Sequence, residues 1–184
     1  MSGPAPGARL GSIAVTGRFQ PFHRDHLNLV QQALAIADRV LIGVTNADAA
    51  ELRRHPASPH RHLTTANPYS FEQRRQLIDA ALTAAGIAAA RYEILPFPLD
   101  EPGRWPAIVP PGTPQLVRVF SDWEREKVRR FAAAGYAPRV LTGDAATRVS
   151  GSDIRVAMQA RQPWQHWVPP GARELLQRWQ GPAQ

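Results

Sequence analysis

Short apolar runs alternate with segments of helical periodicity along most of the chain. Ile13–Thr16 is typical of a short buried strand, and Leu27, Val30, Leu34 and Ala37 then recur on one face of a helix. Further apolar runs predict strands at Val40–Val44, Tyr92–Leu95, Leu116–Phe120 and Arg139–Leu141. Because strands that alternate with helices usually form a parallel sheet covered by helices, the pattern predicts an α/β fold.

Helix-capping and loop residues define the segments between these strands. Ser70 and Ser121 each stand three residues before a Gln or Glu, the capping-box pattern of a helix start, and the helices are expected to end near Gly86 and Gly135. The polar stretch from Thr45 to Pro68 is too long for an ordinary connection and is a candidate lid. In open parallel sheets, ligands bind outside the carboxyl ends of the strands, where we expect such long loops to meet.

Composition restricts the class of protein. With 184 residues, 43% of them hydrophobic, the chain fits a flexible tail over residues 1–11 and one domain over residues 12–180. No apolar run approaches the roughly 20 residues that cross a bilayer, and the first ten residues lack the apolar core of a secretory signal, so a cytoplasmic, membrane-free protein is expected. The absence of cysteine excludes disulfides and thiol catalysis.

The net charge of +7 comes almost entirely from arginine, since Lys127 is the only lysine. Arginine forks suit phosphate oxygens, which favours small anionic substrates, although a GC-rich genome would also enrich arginine. The arginines are scattered and form no continuous basic run, which argues against a nucleic-acid partner. Trp164, Trp167 and Trp179 fit the core best but leave a homo-oligomer open.

The segment Gly17–His26 places two histidines three residues apart where a strand turns into a helix. At such a helix start, unpaired N–H groups and the helix dipole favour anions, so His23 and His26 can donate to one phosphate. A metal site is a weaker alternative because it needs a third ligand, and simple capping by the two histidines is another. Later in the chain, Val149–Arg155 combines serines, a glycine and an arginine before a helix through Met158, which suits either a polyphosphate site or an ordinary cap.

Together the two motifs resemble the nucleotidyltransferase superfamily, whose signature is His-x-Gly-His followed late in the chain by a Ser/Thr-rich stretch ending in Arg. A narrower resemblance is to archaeal-type nicotinamide mononucleotide adenylyltransferases. It is carried by Gly17–His23, by Asn67–Ser70 with Arg74, and by Ser150–Arg155, and it runs from about Ser12 to Trp179. The resemblance implies a Rossmann-like sheet and a Mg²⁺-dependent attack of an acceptor phosphate on the α-phosphorus of ATP, with release of pyrophosphate.

The resemblance also implies residue roles. His23, His26 and Arg155 would be catalytic, Arg18 and Trp105 would contact the acceptor, and Arg74 would be structural. A tryptophan in a proline-rich loop fits plain packing equally well, so both roles stay open for Trp105. The nucleotide site would comprise Gly17, Arg18, Phe19, Gln20, Ser150, Ser152 and Arg155, with no metal ligand from the protein. The implied acceptor is nicotinamide or nicotinic acid mononucleotide, which would give NAD or its acid form.

Four departures from the family pattern fall on ligand positions. Asp25 replaces the glycine between the histidines, the Asn expected before Trp105 is missing, Ser121–Trp123 replaces Ser-Gly-Asn, and Ala66 replaces a basic residue for which Arg61 could substitute. A carboxylate there would repel phosphates unless it turns outward, binds magnesium or pairs with an arginine such as Arg24 or Arg18. We expect an outward turn or a changed pose of the nucleotide. These changes leave open a diverged acceptor or nucleotide, or a nucleotide-binding protein without catalysis.

Overall fold

The computed structural model describes residues 9–56, 58–59 and 61–180. Five parallel strands form one sheet in the order β3-β2-β1-β4-β5, namely β1 (Leu10–Gly17), β2 (Ala37–Val44), β3 (Tyr92–Pro96), β4 (Gln115–Val119) and β5 (Pro138–Thr142). The helices are α1 (Arg24–Ile36), α2 (Phe71–Ala84), α3 (Asp122–Ala133), α4 (Gly151–Gln159) and α5 (Ala172–Gln180). The predicted α/β class with a parallel sheet is confirmed.

The two capping boxes locate the starts of α2 and α3 correctly. In the box that opens α2, the Ser70 hydroxyl accepts from the Gln73 N–H at 3.1 Å, and the Gln73 side chain accepts from the Ser70 N–H at 2.9 Å. Gly86 follows α2 with a φ of +73°, a left-handed conformation that favours glycine. Ala37, predicted on the first helix, instead begins β2.

The predicted tail over residues 1–11 is too long at its inner end, because Leu10 and Gly11 already belong to β1. Residues 1–8 of that prediction lie outside the described residues. Beside the strand, the Arg9 guanidinium donates to Asp38 at 2.8 Å. Among the described residues, no helix is both long and apolar enough to cross a membrane.

The position of β1 creates a crevice at the carboxyl end of the sheet. The chain leaves β1 through α1 to reach β2 on one side, whereas β4 pairs with the other side of β1. The connections that follow β1 and β4 therefore diverge from a common point, which is where open α/β sheets bind ligands. Gly17 and Val119 are the last residues of these two strands.

Each face of the sheet carries its own core. Ile13 and Val15 pack into a large cluster with buried residues of α1, α2, α4 and α5, while Ala14 between them packs into a smaller, aromatic cluster beneath α3. In the larger cluster Trp164 is buried, whereas Trp179 at the end of α5 is 37% exposed. The two faces consequently present different helices to the crevice.

The long stretch between β2 and α2 is held together by its own hydrogen bonds, and it is tied to the body of the protein where Arg18 donates to the Ala66 carbonyl at 3.2 Å. It contains two short 3₁₀ turns, Ala49–Glu51 and Thr64–Ala66. The carbonyl oxygen of Arg61 accepts from the side-chain amides of Asn46 at 2.9 Å and Asn67 at 2.7 Å. These bonds hold Arg61 over the crevice, and the proposed lid motion of this stretch stays a prediction.

Candidate active site

A cavity of about 180 Å³ opens at the crevice beside the carboxyl ends of β1 and β4. Of the residues predicted for the site, it is lined by Gly17, Arg18, Phe19, Gln20, His23, His26, Ser150, Ser152 and Arg155. Trp105 is the one predicted site residue that does not line it. The structure thus brings the two sequence motifs, more than a hundred residues apart, to one cavity.

The turn after β1 places the histidines at the start of α1. No side chain would fit at Gly17, because a Cβ there would lie 2.8 Å from the Phe19 ring. Phe19 adopts a φ of +53° and is buried with Phe22, which fixes the turn. His23 follows as the N-cap residue of α1, with His26 one turn along.

The two imidazole rings are stacked, with centroids 3.6 Å apart. The backbone N–H of His23 donates to Nδ1 of His26 at 3.3 Å, so the proton of a neutral His26 ring is on Nε2. Nδ1 of His23 is buried and has no hydrogen-bond partner among the described residues. The Nε2 atom of each ring forms no hydrogen bond among the described residues and is the atom that a ligand can use.

Burial keeps both histidines uncharged. Desolvation, reinforced by Arg148 and Arg24, lowers the pKa of His23 to about 3. Desolvation, together with His23 and nearby cations, also places the pKa of His26 well below its ordinary value. Near neutral pH, the pair can supply neutral N–H donors to a phosphate.

The second motif forms the first turn of α4 and packs directly on the first motif. The Ser150 hydroxyl caps the helix by accepting from the Asp153 N–H at 3.2 Å. Gly151 is required here because a Cβ would lie 2.5 Å from the carbonyl oxygen of Gln20. Arg155 donates to that same carbonyl at 2.6 Å, and its other terminal nitrogen donates to the Ser152 hydroxyl at 3.1 Å.

Two of the predicted residues tie loops together. The Gln20 side-chain amide donates to the Tyr69 carbonyl at 2.9 Å and accepts from the Tyr69 N–H at 3.0 Å, which links the first motif to the Asn-Pro segment. Arg74 is buried and donates to four backbone carbonyls, those of Ser70, Arg18, Thr45 and Asn46. These contacts agree with the structural role expected for Arg74.

Asp25 has a defined partner, and the expected outward turn is wrong. Its Oδ2 accepts from the backbone N–H of Val149 at 2.8 Å, and the Nε of Arg24 lies 3.9 Å from its Oδ1. The carboxylate thereby joins the first turn of α1 to the segment that leads into α4. We call this contact the Asp25–Val149 clasp.

The structure also corrects the assignment of Trp105 to the acceptor. Its side chain is fully buried in the aromatic cluster, packed on Phe97, Phe131 and Tyr136. The indole N–H donates to the Pro98 carbonyl at 2.8 Å. Neither face of the ring is open to the cavity, because the proline-rich segment folds the ring under α3.

Positive charge dominates the cavity. Its cationic side chains are Arg18, Arg61, Arg118, Lys127, Arg148 and Arg155, whereas its carboxylates are Asp25 and Glu124. Glu124 is already engaged, since it accepts from the Ser121 N–H and hydroxyl and lies 3.6 Å from Arg148. Burial and the charge of Arg155 lower the pKa of Arg18 to about 10. A polyanionic ligand would neutralise the excess of positive charge in the cavity.

Sequence reasoning missed Lys127, which lines the cavity, whereas Trp123, which also lines it, belongs to the Ser121–Trp123 run that was expected at a ligand position. Trp123, Lys127 and Phe131 recur every four residues along α3 and form its buried face. A lone lysine on the apolar face of an amphipathic helix was the signal that could have been used. The Arg61 guanidinium lies 4.3 Å from the centre of the Trp123 ring. No pattern in the sequence predicts that contact.

The cavity thus has two sides with different composition. The histidine side consists of His23, His26 and the first turn of α4, whereas the lysine side consists of Arg61, Trp123 and Lys127. No group of three histidine or carboxylate side chains that could hold a metal occurs among the described residues. A divalent ion could therefore be held here chiefly by the oxygens of a bound polyphosphate.

Comparison with known proteins gives a consistent family. The profile described as cytidylyltransferase-like matches residues 14–157. A phosphonoformate cytidylyltransferase of Streptomyces viridochromogenes is 32% identical over 90% of each chain. A nicotinamide-nucleotide adenylyltransferase of Thermococcus kodakarensis is 26% identical over 90% of this chain and 81% of its own length. The resemblance stated from the motifs is confirmed.

Solved structures agree on the fold. A bifunctional NMN adenylyltransferase/ADP ribose pyrophosphatase from Francisella tularensis superposes with a TM-score of 0.65 at 20% identity, over 91% of this chain. The matched region is 49% of that bifunctional chain, so this protein spans about half of it. The same enzyme has also been solved with AMP and a manganese ion. The Rossmann-like nucleotidyltransferase fold implied by the resemblance is thereby confirmed.

Proposed function

Since this chain belongs to the cytidylyltransferase-like family, we propose that it transfers a nucleoside monophosphate from a nucleoside triphosphate to an acceptor that carries a phosphate or phosphonate group. Adenylyl transfer from ATP to nicotinamide mononucleotide, which gives NAD, is the leading reaction because several nicotinamide-nucleotide adenylyltransferases match about 90% of the chain and a solved NMN adenylyltransferase shares its fold. The observation that carries the proposal is the meeting of both phosphate motifs in one cationic cavity.

The histidine side would hold the triphosphate. The first turn of α4 offers backbone N–H groups at a helix start, and Arg155 and Ser152 stand within that turn. Arg148, which lies over the Phe120 ring at 4.9 Å, adds a cation from the preceding segment. These groups would bind the β- and γ-phosphates and so place the α-phosphate near the histidines.

The chemistry requires little from the protein beyond positioning and charge neutralisation. An oxygen of the acceptor would attack the α-phosphorus, the bond from that phosphorus to the bridging oxygen of the β-phosphate would break, and pyrophosphate would leave with the electron pair. His23 and His26 would donate neutral hydrogen bonds to the phosphate oxygens on which charge develops. Arg18 would neutralise charge between the two substrates.

Magnesium fits this site as a companion of the nucleotide. Asp25 and Glu124 are both occupied by protein partners, so phosphate oxygens would supply most of its ligands. When bound, the ion would neutralise part of the triphosphate charge. The protein's own contribution would remain the placement of the phosphates.

A second candidate is cytidylyl transfer from CTP to a small phosphonate or phosphate acceptor. The relative that acts as a phosphonoformate cytidylyltransferase is 32% identical over 90% of both chains. The burial of Trp105 supports the same reading, because no aromatic face at that position is open to stack on a pyridine ring. The two candidates share the histidine side and differ in acceptor and base.

The test is pyrophosphate release by the purified protein with Mg²⁺, in which ATP and CTP are each paired with an acceptor. The acceptors are nicotinamide mononucleotide, nicotinic acid mononucleotide, phosphonoformate and inorganic phosphate. Products are identified by mass spectrometry, and the His23→Ala protein is the control for contaminating activity. Release with ATP and a pyridine mononucleotide supports the leading reaction, whereas release with CTP and phosphonoformate supports the second. Triphosphate binding without release from any pair contradicts both and favours a nucleotide-binding protein.

A further inference from the structure

We propose that Lys127 and Arg61 form an oxyanion subsite for the acceptor, on the lysine side of the cavity. This inference rests on the proposed function, because nucleotidyl transfer brings two anionic substrates into one cavity. It assigns a substrate-binding role to the sole lysine of the chain, a residue outside both phosphate motifs.

Lys127 presents donors to the cavity that the protein does not use. Its side chain is 8% exposed, lines the cavity, and donates to the carbonyl oxygen of Thr16 at 2.7 Å. An ammonium group has three N–H donors, and this is the one hydrogen bond from Lys127 among the described residues. Two donors are left for a ligand.

Arg61 supplies the second cation from a different segment. Its backbone is held by Asn46 and Asn67, and its guanidinium carbon lies 4.3 Å from the centre of the Trp123 ring, one helical turn before Lys127. Stacking on an aromatic ring orients a guanidinium while leaving its N–H edge free to bind an oxyanion. Neither Arg61 nor Lys127 has an ion pair within 4.0 Å among the described residues.

Two neighbouring like charges, of which Lys127 is buried and Arg61 is half-buried, favour a compensating anion. Burial and Arg61 lower the pKa of Lys127 to about 8, and burial and Arg18 lower the pKa of Arg61 to about 9. The charge of Glu124 reaches both cations, but Glu124 is committed to Ser121 and Arg148. An anionic group between Lys127 and Arg61 would remove the repulsion.

The topology of the sheet separates this pair from the triphosphate. α1 and α4 belong to the core on one face, whereas Trp123 and Phe131 of α3 belong to the core on the other. The triphosphate is expected on the first face, at the histidines and Arg155. The attacking oxyanion must approach the α-phosphorus from the side opposite the leaving pyrophosphate, and the lysine side lies across the crevice.

A single lysine permits a labelling test that does not depend on turnover. Pyridoxal 5′-phosphate carries a phosphate and an aldehyde that condenses with an amine, losing water, and borohydride then fixes the product. We expect peptide mapping to show Lys127 labelled about 10-fold faster than by pyridoxal, which lacks the phosphate, because the subsite binds the phosphate first. Inorganic phosphate and phosphonoformate should slow the labelling. Equal rates for the two aldehydes, or no competition by either anion, would overturn the proposal.

Arg61→Gln provides the matched variant for this experiment, since it keeps Lys127 in place. The advantage of the phosphate-bearing aldehyde should fall to within about 2-fold of pyridoxal, because one of the two oxyanion donors is gone. Arg129→Gln is the control, as Arg129 lies on the same helix and pairs with Glu126 on its exposed face. A loss of the advantage in Arg129→Gln alone would contradict the assignment.

Steady-state kinetics then separate acceptor binding from a structural role. With the substrate pair found active, Lys127→Met should raise the acceptor KM about 10-fold or more while triphosphate KM changes about 2-fold at most. Lys127→Arg should recover most of the acceptor affinity. A rise in triphosphate KM with an unchanged acceptor KM would assign Lys127 to the nucleotide instead. If no pair in the panel is active, the proposed function fails, but the labelling result still decides whether the subsite binds an oxyanion.

Discussion

The histidine side and the lysine side of the cavity are built in different ways. The histidine side comes from two short motifs whose members are close in the chain, and hydrogen bonds such as that from Arg155 to the Gln20 carbonyl join them. The lysine side is assembled from a loop and a helix about sixty residues apart, through the stacking of Arg61 on Trp123. The first side carries both sequence motifs, whereas the residues of the second lie outside them.

That difference indicates how substrate range can change within one fold. The transferred α-phosphate and leaving pyrophosphate are common to all reactions of this type, so the groups that hold them are fixed by the chemistry. The acceptor varies, and the groups on the lysine side sit on a long loop and on one helix face, where substitutions leave the sheet intact. Mutations on the two sides should therefore change different kinetic constants.

The largest effect is expected from His23→Ala on the histidine side. Loss of one donor to the charge that develops on the α-phosphate should lower kcat about 100-fold or more, with little change in acceptor KM. His166→Ala, an exposed histidine on a C-terminal turn, is the matched control and should retain full activity. Steady-state pyrophosphate release measures both. A His23→Ala enzyme with normal kcat and a raised acceptor KM would contradict the assignment of the two sides to different kinetic constants.

Asp25→Gly tests the clasp that distinguishes this chain from the family pattern. Removing the carboxylate frees the Val149 N–H and loosens the approach to α4, so kcat should fall roughly 30-fold and the melting temperature should drop, as for loss of a charge-assisted hydrogen bond. Asp25→Asn, which keeps an accepting oxygen, should lie in between. Activity that rises in Asp25→Gly would show instead that the carboxylate obstructs the phosphates.

The acceptor KM should depend on pH in the range where Lys127 titrates. With a pKa of about 8, Lys127 is charged below that value and loses its charge above it, so acceptor KM should rise about 10-fold from pH 7 to pH 9. Arg61, Glu124 and His26 are the charged or titratable groups coupled to it, and Arg61, with a pKa of about 9, shifts binding in the same direction. Lys127→Arg should flatten the profile below pH 8. A flat profile in the parent protein would exclude a charged Lys127 from acceptor binding.

How much of the fold and of the site could be predicted from the sequence depends on how far apart in the chain the contacting residues lie. Capping boxes, apolar runs and the histidine pair are local signals, and they located the five strands, helices α1 to α4 and the histidine side, whereas α5 was not predicted. The Asp25 carboxylate was expected to turn outward because it would repel phosphates, and its actual partner, the Val149 N–H, is 124 residues away and gives no local signal. Lys127 was missed although its place on the apolar face of α3 is a local signal. The contact of Arg61 with Trp123 depends on how a long loop folds, which a local pattern does not encode.

The smallest effect on activity is expected from Trp105→Phe, which tests the corrected role of this residue. A tryptophan that contacts the acceptor would raise the acceptor KM when replaced, whereas a core tryptophan leaves both KM values within about 2-fold and lowers stability by about 2 kcal/mol. The loss arises because the Pro98 carbonyl loses its donor and the aromatic cluster loses volume. Tyr136→Phe is a matched control, since its hydroxyl donates to the Val109 carbonyl at 2.8 Å within the same cluster. Urea unfolding and acceptor kinetics on both variants provide the comparison. Parallel losses of stability with intact kinetics would place Trp105 in the scaffold beneath the lysine side, so that the acceptor is recognised by the charges above it.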